Sequence, residues 1–395
     1  MNGRIFVVLG GLSTACALNA LAACANNDAG ASDTAPADVH TVPVPTPDAG
    51  ADVAIADASP CADSSSDACV TTLDCATVDF CSSPFPAARV ISLNSIWGSA
   101  ADDVWAVGTH GAIFHSDGGP FVALASGTSD VYFSVWGTGR EDVWTVNAKV
   151  PLHSTGFQNG SATFTPQPGS SWVASGASSG RIWGGVSTSA SNVWLVGDPS
   201  SRFGASSSFW RLGADADGGA AWKAGNICPP DQFYCSGSAR SLWGTDEANV
   251  WAVGNAGYGY RVDDAAAGHW KQLDTKTSAD LRGVWGSSPN DVWAVGSRGT
   301  IIHSTGNDVW KVVESPTSRT LRAIWGSGPS DVWAVGDAGT VVHYDGQSWA
   351  AGTIGLTPSD APSDLLGIWG SGPDDVWIVG DGLILHRTAM SRRHS

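Results

Sequence analysis

Positive charge is scarce in this sequence. Its 395 residues carry 20 Lys and Arg against 37 Asp and Glu, a formal net charge of −17. An acidic surface repels phosphate backbones, which sets nucleic acids aside as partners. The short patterns of common catalytic sites are missing too. No glycine-rich phosphate loop, nucleophile elbow or poised carboxylate pair stands in its expected context. Between Cys61 and Cys81 there is no C-x-x-C pair, so a zinc site lacks its usual ligand spacing. Neither a metal nor a cofactor is implied, and the chain reads as a non-enzyme. Charged residues make up only 14% of the chain while tryptophan occurs 20 times. That combination suits a packed all-β domain with polar, weakly charged loops.

Apolar runs are short except at the N-terminus. Arg4 supplies a positive start and Ile5 to Leu21 is mostly apolar, interrupted by Ser13 and Thr14. The run is too short and broken for a comfortable bilayer span, and it ends in small residues, as signal peptides do. Leu21-Ala22-Ala23-Cys24 resembles the lipobox of bacterial lipoproteins. That resemblance implies a signal peptide over residues 1–23 and lipidation of Cys24, with an ordinary signal peptide as the alternative. Contact with a membrane would then run through the N-terminal lipid only, at the cell envelope, on the outer membrane or cell surface. Setting aside Cys16 and Cys24 leaves Cys61, Cys69, Cys75, Cys81, Cys228 and Cys235, an even number that suits disulfides in an oxidising compartment. Cys228 and Cys235 are expected to close a local loop. The four upstream cysteines allow three pairings.

Residues 24–60 are Ala, Asp, Thr, Pro and Val with few large apolar groups, too little to offset the entropy of ordering. They read as a disordered tether with a reach of roughly 30–35 Å. Residues 61–84 form a Cys-rich collar, and 389–395 a short tail.

Everything between, residues 85–388, is repetitive. The clearest copy runs from Leu321 through Trp325-Gly326 and Asp331-Val332-Trp333-Ala334-Val335-Gly336 to Trp349. A W-G element recurs at Trp97, Trp136, Trp183, Trp243, Trp285, Trp325 and Trp369. A V-W partner recurs at Trp105, Trp144, Trp194, Trp251, Trp293, Trp333 and Trp377. Each copy parses into four short strands: one ending at W-G, one like Val292 to Val295, one like Thr300 to His303, and one carrying an aromatic such as Trp270, Trp310 or Trp349. Four strands per repeat of about 40–47 residues is the pattern of a propeller blade, so seven copies predict a seven-bladed β-propeller, expected as a monomer. The seventh copy stops after Leu383 to His386 with no further tryptophan. The stretch from Phe85 to Ile91 is therefore expected to supply its outer strand and close the ring, leaving no exposed edge.

The W-G-S-x-x-x-D-V-W-A-V-G unit resembles the repeat of bacterial surface lipoproteins with β-propeller domains. It is similar, more distantly, to the tectonin repeat of propeller lectins. The resemblance spans roughly residues 88–388 and speaks to fold and location more than to activity. The sialidase Asp box is only partly echoed at Asp345-Gly346-Gln347-Ser348-Trp349.

Four residue groups have side chains that could carry chemistry. The aspartate before V-W, replaced by Asn192 and Asn249 in two copies, is expected in a turn, where either side chain bonds backbone amides. His115, His153, His303, His343 and His386 share one repeat position, one per blade, and read as structural. So do Arg282 and Arg322, which also share a position. The run Asp215 to Gly219 lacks the later ligands of a calcium loop and reads as a turn.

Long insertions at Pro166 to Ser179, Asp198 to Ala205, Asn226 to Gly237 and Gly352 to Ser363 are expected on one face of the ring, the usual binding face. The candidate contacts there are Arg202, Phe203, Asp231, Phe233, Tyr234 and Tyr258. The function expected is a binding or scaffold module for a protein or polysaccharide. A tectonin-like glycan lectin and an extracellular polysaccharide hydrolase or lyase are the alternatives.

Overall fold

Tryptophan and glycine set the blade spacing. In the computed structural model, which describes residues 54–55, 75–86, 91–147, 150–167, 181–198, 208–214, 220–228, 238–356 and 363–388, the strands form seven sheets. Each sheet begins with an eight-residue inner strand, a two-residue turn and a six-residue second strand. Each inner strand touches the inner strand of the next blade, and the last, Leu365–Gly372, touches the first, Leu93–Ala100. The ring is closed and seven-bladed.

Two repeated contacts hold neighbouring blades together. In the first, the W-G indole of one blade lies against the W-G glycine of the next. A Cβ built on Gly326 would sit 2.6 Å from Trp285 Cη2, and one on Gly98 equally close to Trp369. Only glycine lets the indole approach so closely. In the second, the V-W indole meets the outer-strand aromatic of the next blade, edge to face. Trp105 meets Phe164 at 5.6 Å, Trp144 meets Trp222 at 6.0 Å, Trp194 meets Trp270 at 5.3 Å and Trp293 meets Trp349 at 5.5 Å. This edge-to-face geometry is the one that the aromatic quadrupole favours.

Two sequence expectations need correction. Trp183 is not a W-G tryptophan. Register pairs Val186 with Trp194, as Trp325 pairs with Trp333, so Val186-Ser187 fills the W-G place in blade three and Trp183 lies three residues upstream. Ser187 compensates at the blade boundary by accepting a hydrogen bond from Trp136 Nε1 at 3.0 Å.

The closing strand is not Phe85 to Ile91 either. It is Phe80–Ser83, from the expected collar, and it pairs antiparallel with Leu383–Thr388, placing Ser82 opposite Leu385. The physical reason is the missing aromatic. Phe80 packs edge-on against Trp333 at 5.1 Å, the role that Trp349 plays for Trp293. Phe85 instead meets Phe114 of blade one. Thr353–Gly355 and Ala54–Ile55 extend the same sheet to six strands, so a piece of the expected tether is ordered against it. Asp79 secures the junction. It exchanges hydrogen bonds with Thr353 and accepts one from the buried Arg387 at 2.8 Å. Cys75 is bonded to Cys81, which selects one pairing among those left open. Cys24, Cys61 and Cys69, the signal peptide, most of the tether, the run Asp215 to Gly219 and the tail at 389–395 lie outside the described residues.

Removing the ring of Phe80 empties a fully buried site, so Phe80→Ala should cost about 3–5 kcal/mol in urea unfolding. Phe85→Ala, at a half-buried position, should cost less than half as much. Equal losses, or a larger one at Phe85, would contradict the assigned closure.

Candidate functional site

The second strands begin with a polar hub rather than a simple turn. In blade one, Asp103 Oδ1 accepts from Trp105 Nε1 at 3.1 Å and lies 2.8 Å from His115 Nε2, while Oδ2 accepts from Ser99 Oγ. Blades two, five and six repeat the set with Asp142 and His153, Asp291 and His303, and Asp331 and His343. Blade seven pairs Asp375 with His386. The histidine rings of the last three blades also stack on the V-W indole at 3.5–3.9 Å. Where the carboxylate becomes an amide, the histidine becomes an arginine. Arg211 Nε donates to Asn192 at 3.0 Å, and Arg261 lies 3.5 Å from Asn249. The exchange therefore preserves a side-chain hub, not backbone bonding in a turn, because a neutral Asn offers no charge to a histidine while arginine brings its own donors.

The Asp–His hubs sit within their own blades at the lower end of the inner strands, while Arg211 and Arg261 also reach Glu247 and Asp308 of the next blade. Burial would raise the carboxyls of Asp103, Asp142, Asp331 and Asp375, but hydrogen bonds from the histidine and hydroxyl outweigh it and hold them below their ordinary value of 3.8. These groups are committed to packing. Among the described residues no cluster of three or more His, Cys, Asp or Glu is placed to hold a metal ion.

The opposite, upper face is where the inner strands start. Gly197 pairs with Ile182 there, and in five blades the amide after the second strand bonds the residue before the inner strand, as Asp198 does to Arg181 and Asp337 to Thr320. Second-to-third loops and blade-to-blade connections thus share this face, and the strand ends that carry the long insertions lie on it. The second residue of each inner strand rings the channel mouth: Asn94, Phe133, Trp183, Arg240, Arg282, Arg322 and Leu366. Below it comes a throat of small residues, including Ser241, Gly283, Ala323 and Gly367, and then a floor including Ile96, Leu242, Val284, Ile324 and Ile368. The throat must be small because neighbouring strands nearly touch. A Cβ on Gly367 would lie 3.1 Å from the Cα of Ser95. The funnel encloses about 220 Å³.

Its rim is lopsided in charge. Trp183 carries the guanidinium of Arg240 at 4.0 Å and that of Arg181 at 4.8 Å, with Phe133 edge-on at 5.2 Å. The electron-rich faces of the rings lower the cost of bringing cations together. Burial, and then the nearby charges of Arg282 and Arg181, pull Arg240 below the usual arginine range, against Asp198 and Asp280, which oppose the shift. This rim was missed in the sequence. A shared repeat position makes Arg282 and Arg322 look structural in the sequence, yet at an inner strand that position converges on the axis.

Of the six contacts expected from sequence, only Tyr258 is described. It stacks on Tyr260 at 6.0 Å and lines a cleft of about 390 Å³ with Gln272 and Asp274. Arg202, Phe203, Asp231, Phe233 and Tyr234 lie outside the described residues, as does Cys235. Cys228 is disulfide-bonded, and its partner lies outside them too.

No protein-family model matches the chain, and no curated protein does. Several solved structures share its fold. YCF48 from Cyanidioschyzon merolae is 19% identical with a TM-score of 0.57, covering 78% of this chain and 98% of that one. A catalytically inactive virginiamycin B lyase from Staphylococcus aureus, solved with quinupristin, is 15% identical with a TM-score of 0.60, covering 77% and 97%. The extracellular domain of BT4673 from B. thetaiotaomicron is 11% identical with a TM-score of 0.58, covering 78% of this chain and 39% of that one. The chain is a β-propeller. At these identities the likeness speaks for the fold alone, and propellers of this size serve different activities.

The hubs predict a coupled exchange. Asp331→Asn and His343→Arg should each destabilise by about 1–3 kcal/mol, and the double variant should recover at least about 0.5 kcal/mol of the sum. Additive losses in urea unfolding would show that Asp331 and His343 are not coupled. A carboxyl with a depressed folded pKa stabilises above its unfolded value and loses that contribution as pH falls through the folded one. Wild-type stability should therefore decline below about pH 4, and less steeply when Asp331 is Asn.

Proposed function

We propose that this chain is an exported, lipid-anchored binding or scaffold module that holds a partner protein at its upper face. One observation carries the reading: the strand ends that bear the long connections and the arginine–aromatic channel mouth share one face, while the titratable Asp–His pairs are hydrogen-bonded within the blades. A face that gathers variable loops over a rigid ring is the usual place for recognition. The described part of the mouth offers donors and flat apolar surface but no nucleophile beside a base, which supports binding over catalysis. A solved structure of YCF48 with D1 peptide supports a polypeptide as the kind of partner. Polysaccharide binding of the tectonin kind and polymer hydrolysis have no comparable observation behind them.

Export and anchoring rest on the signal-like N-terminus, on Cys24 and on the disulfide between Cys75 and Cys81, which suits an oxidising compartment. No helix among the described residues is long and apolar enough to cross a membrane. Anchoring is assigned to a lipid on Cys24.

Two measurements test this. Cys24→Ala should move the protein from the membrane fraction to the soluble fraction of cells that process lipoproteins, and retention in the membrane would sink the anchor. A photo-crosslinker placed at Tyr258 should capture envelope proteins in intact cells, whereas one at Asn290, an exposed turn on the lower face, should not. Equal capture from both faces would sink the binding-face assignment.

A further inference from the structure

The repeat contains an internal control for its own arginines. Arg322 of blade six is fully answered: its Nε donates to Asp337, and its other arm reaches Asp364 at 3.0 Å. Asp337 begins the second-to-third loop of the same blade, and Asp364 precedes the inner strand of the next. In blade four, Arg240 meets Asn255 at 3.2 Å at the first of these positions and has Asp280 at the second. In blade five both positions are uncharged, occupied by Ser297 and Thr320. Arg282 accordingly forms no ion pair among the described residues, and its Nε is buried without a hydrogen-bond partner. A buried guanidinium donor with no acceptor is costly to leave unmade. Arg282 also stands beside Arg240, whose charge it repels.

We infer that Arg282 receives a single carboxylate from the partner polypeptide, an acidic side chain or chain terminus that takes over blade five the place Asp337 and Asp364 take over blade six. The inference rests on the upper-face reading and deepens it. A planar carboxylate matches the guanidinium fork, and its charge screens Arg282 from Arg240. The funnel holds about 220 Å³ above a throat of small residues, room for one side chain and not for a folded surface. Its floor of Ile, Leu and Val offers nothing to sugar hydroxyls, which favours an aliphatic stem on the acid over a uronic acid. Phe133 and Trp183 line the same mouth from blades two and three.

The test uses the full chain and three small probes: N-acetyl-leucine, its neutral amide, and glucuronate. Calorimetry or ligand-observed NMR should show saturable binding of N-acetyl-leucine, with the amide at least about tenfold weaker, as expected for loss of a charge-assisted hydrogen bond. The decisive variant is Ser297→Asp with Thr320→Asp, which installs the internal partners of blade six. It should keep its fold and lose binding by about tenfold or more, as should Arg282→Gln. Unchanged binding in either variant would overturn the role of Arg282. Glucuronate binding as tightly as N-acetyl-leucine would overturn the polypeptide source. Crosslinking from Tyr258 reads the face separately. If capture persists while the probes fail to bind, the face stands and the carboxylate site falls.

Discussion

Every blade depends on an aromatic edge reaching across to its neighbour. A four-stranded sheet with both faces apolar cannot stand alone in water, and the ring lets each face be covered by the next sheet. The inner contact sets an indole over a glycine; the outer one sets an indole edge against another ring. Both are short-range and shape-dependent, so they fix the wedge angle as well as supplying buried area. Seven blade-to-blade steps, most of them carrying both contacts, return the chain to its start, and closure is then a demand for one more aromatic in register. Phe80 answers it.

The same logic explains why polar chemistry is sorted between the two ends of the ring. At the lower end the Asp–His hubs of blades one, two, five and six tie an indole to the turn beside it, while the arginines of the Asn–Arg hubs reach on into the next blade, Arg211 to Glu247 and Arg261 to Asp308. Satisfied groups in a low-dielectric setting rigidify the scaffold. At the upper end the inner strands converge on the axis, the connections lengthen, and the repeat is allowed to vary. Blade six completes its arginine from within, blade four does so in part, and blade five leaves its arginine open. Divergence among copies of one repeat thus turns a symmetrical ring into a surface with direction.

Much of the fold was legible in the residues. Paired W-G and V-W landmarks counted the blades, and the glycine-bearing turns located the strands, because both signals are local and recur at a fixed spacing. Trp183 shows the limit of that reading. Its W-G dipeptide matches the pattern, but strand pairing places Val186 opposite Trp194, and register is decided by cross-strand pairing and not by a dipeptide. The closing strand was misplaced for a related reason. An apolar stretch beside the first blade looked sufficient, whereas the structure required an aromatic at one depth, which only Phe80 supplies.

By itself the sequence determined the number of blades, the four-stranded repeat and the packing role of its tryptophans, since each is written within some forty neighbouring residues. Tertiary structure alone decided which strand closes the ring, that Asp331 and its counterparts bond an indole and an imidazole, and that Arg240, Arg282 and Arg322 meet at one mouth. Residues at the same repeat position are far apart along the chain and far apart on the outer strands. At the axis the ring geometry draws them together, and no spacing in the sequence expresses that convergence.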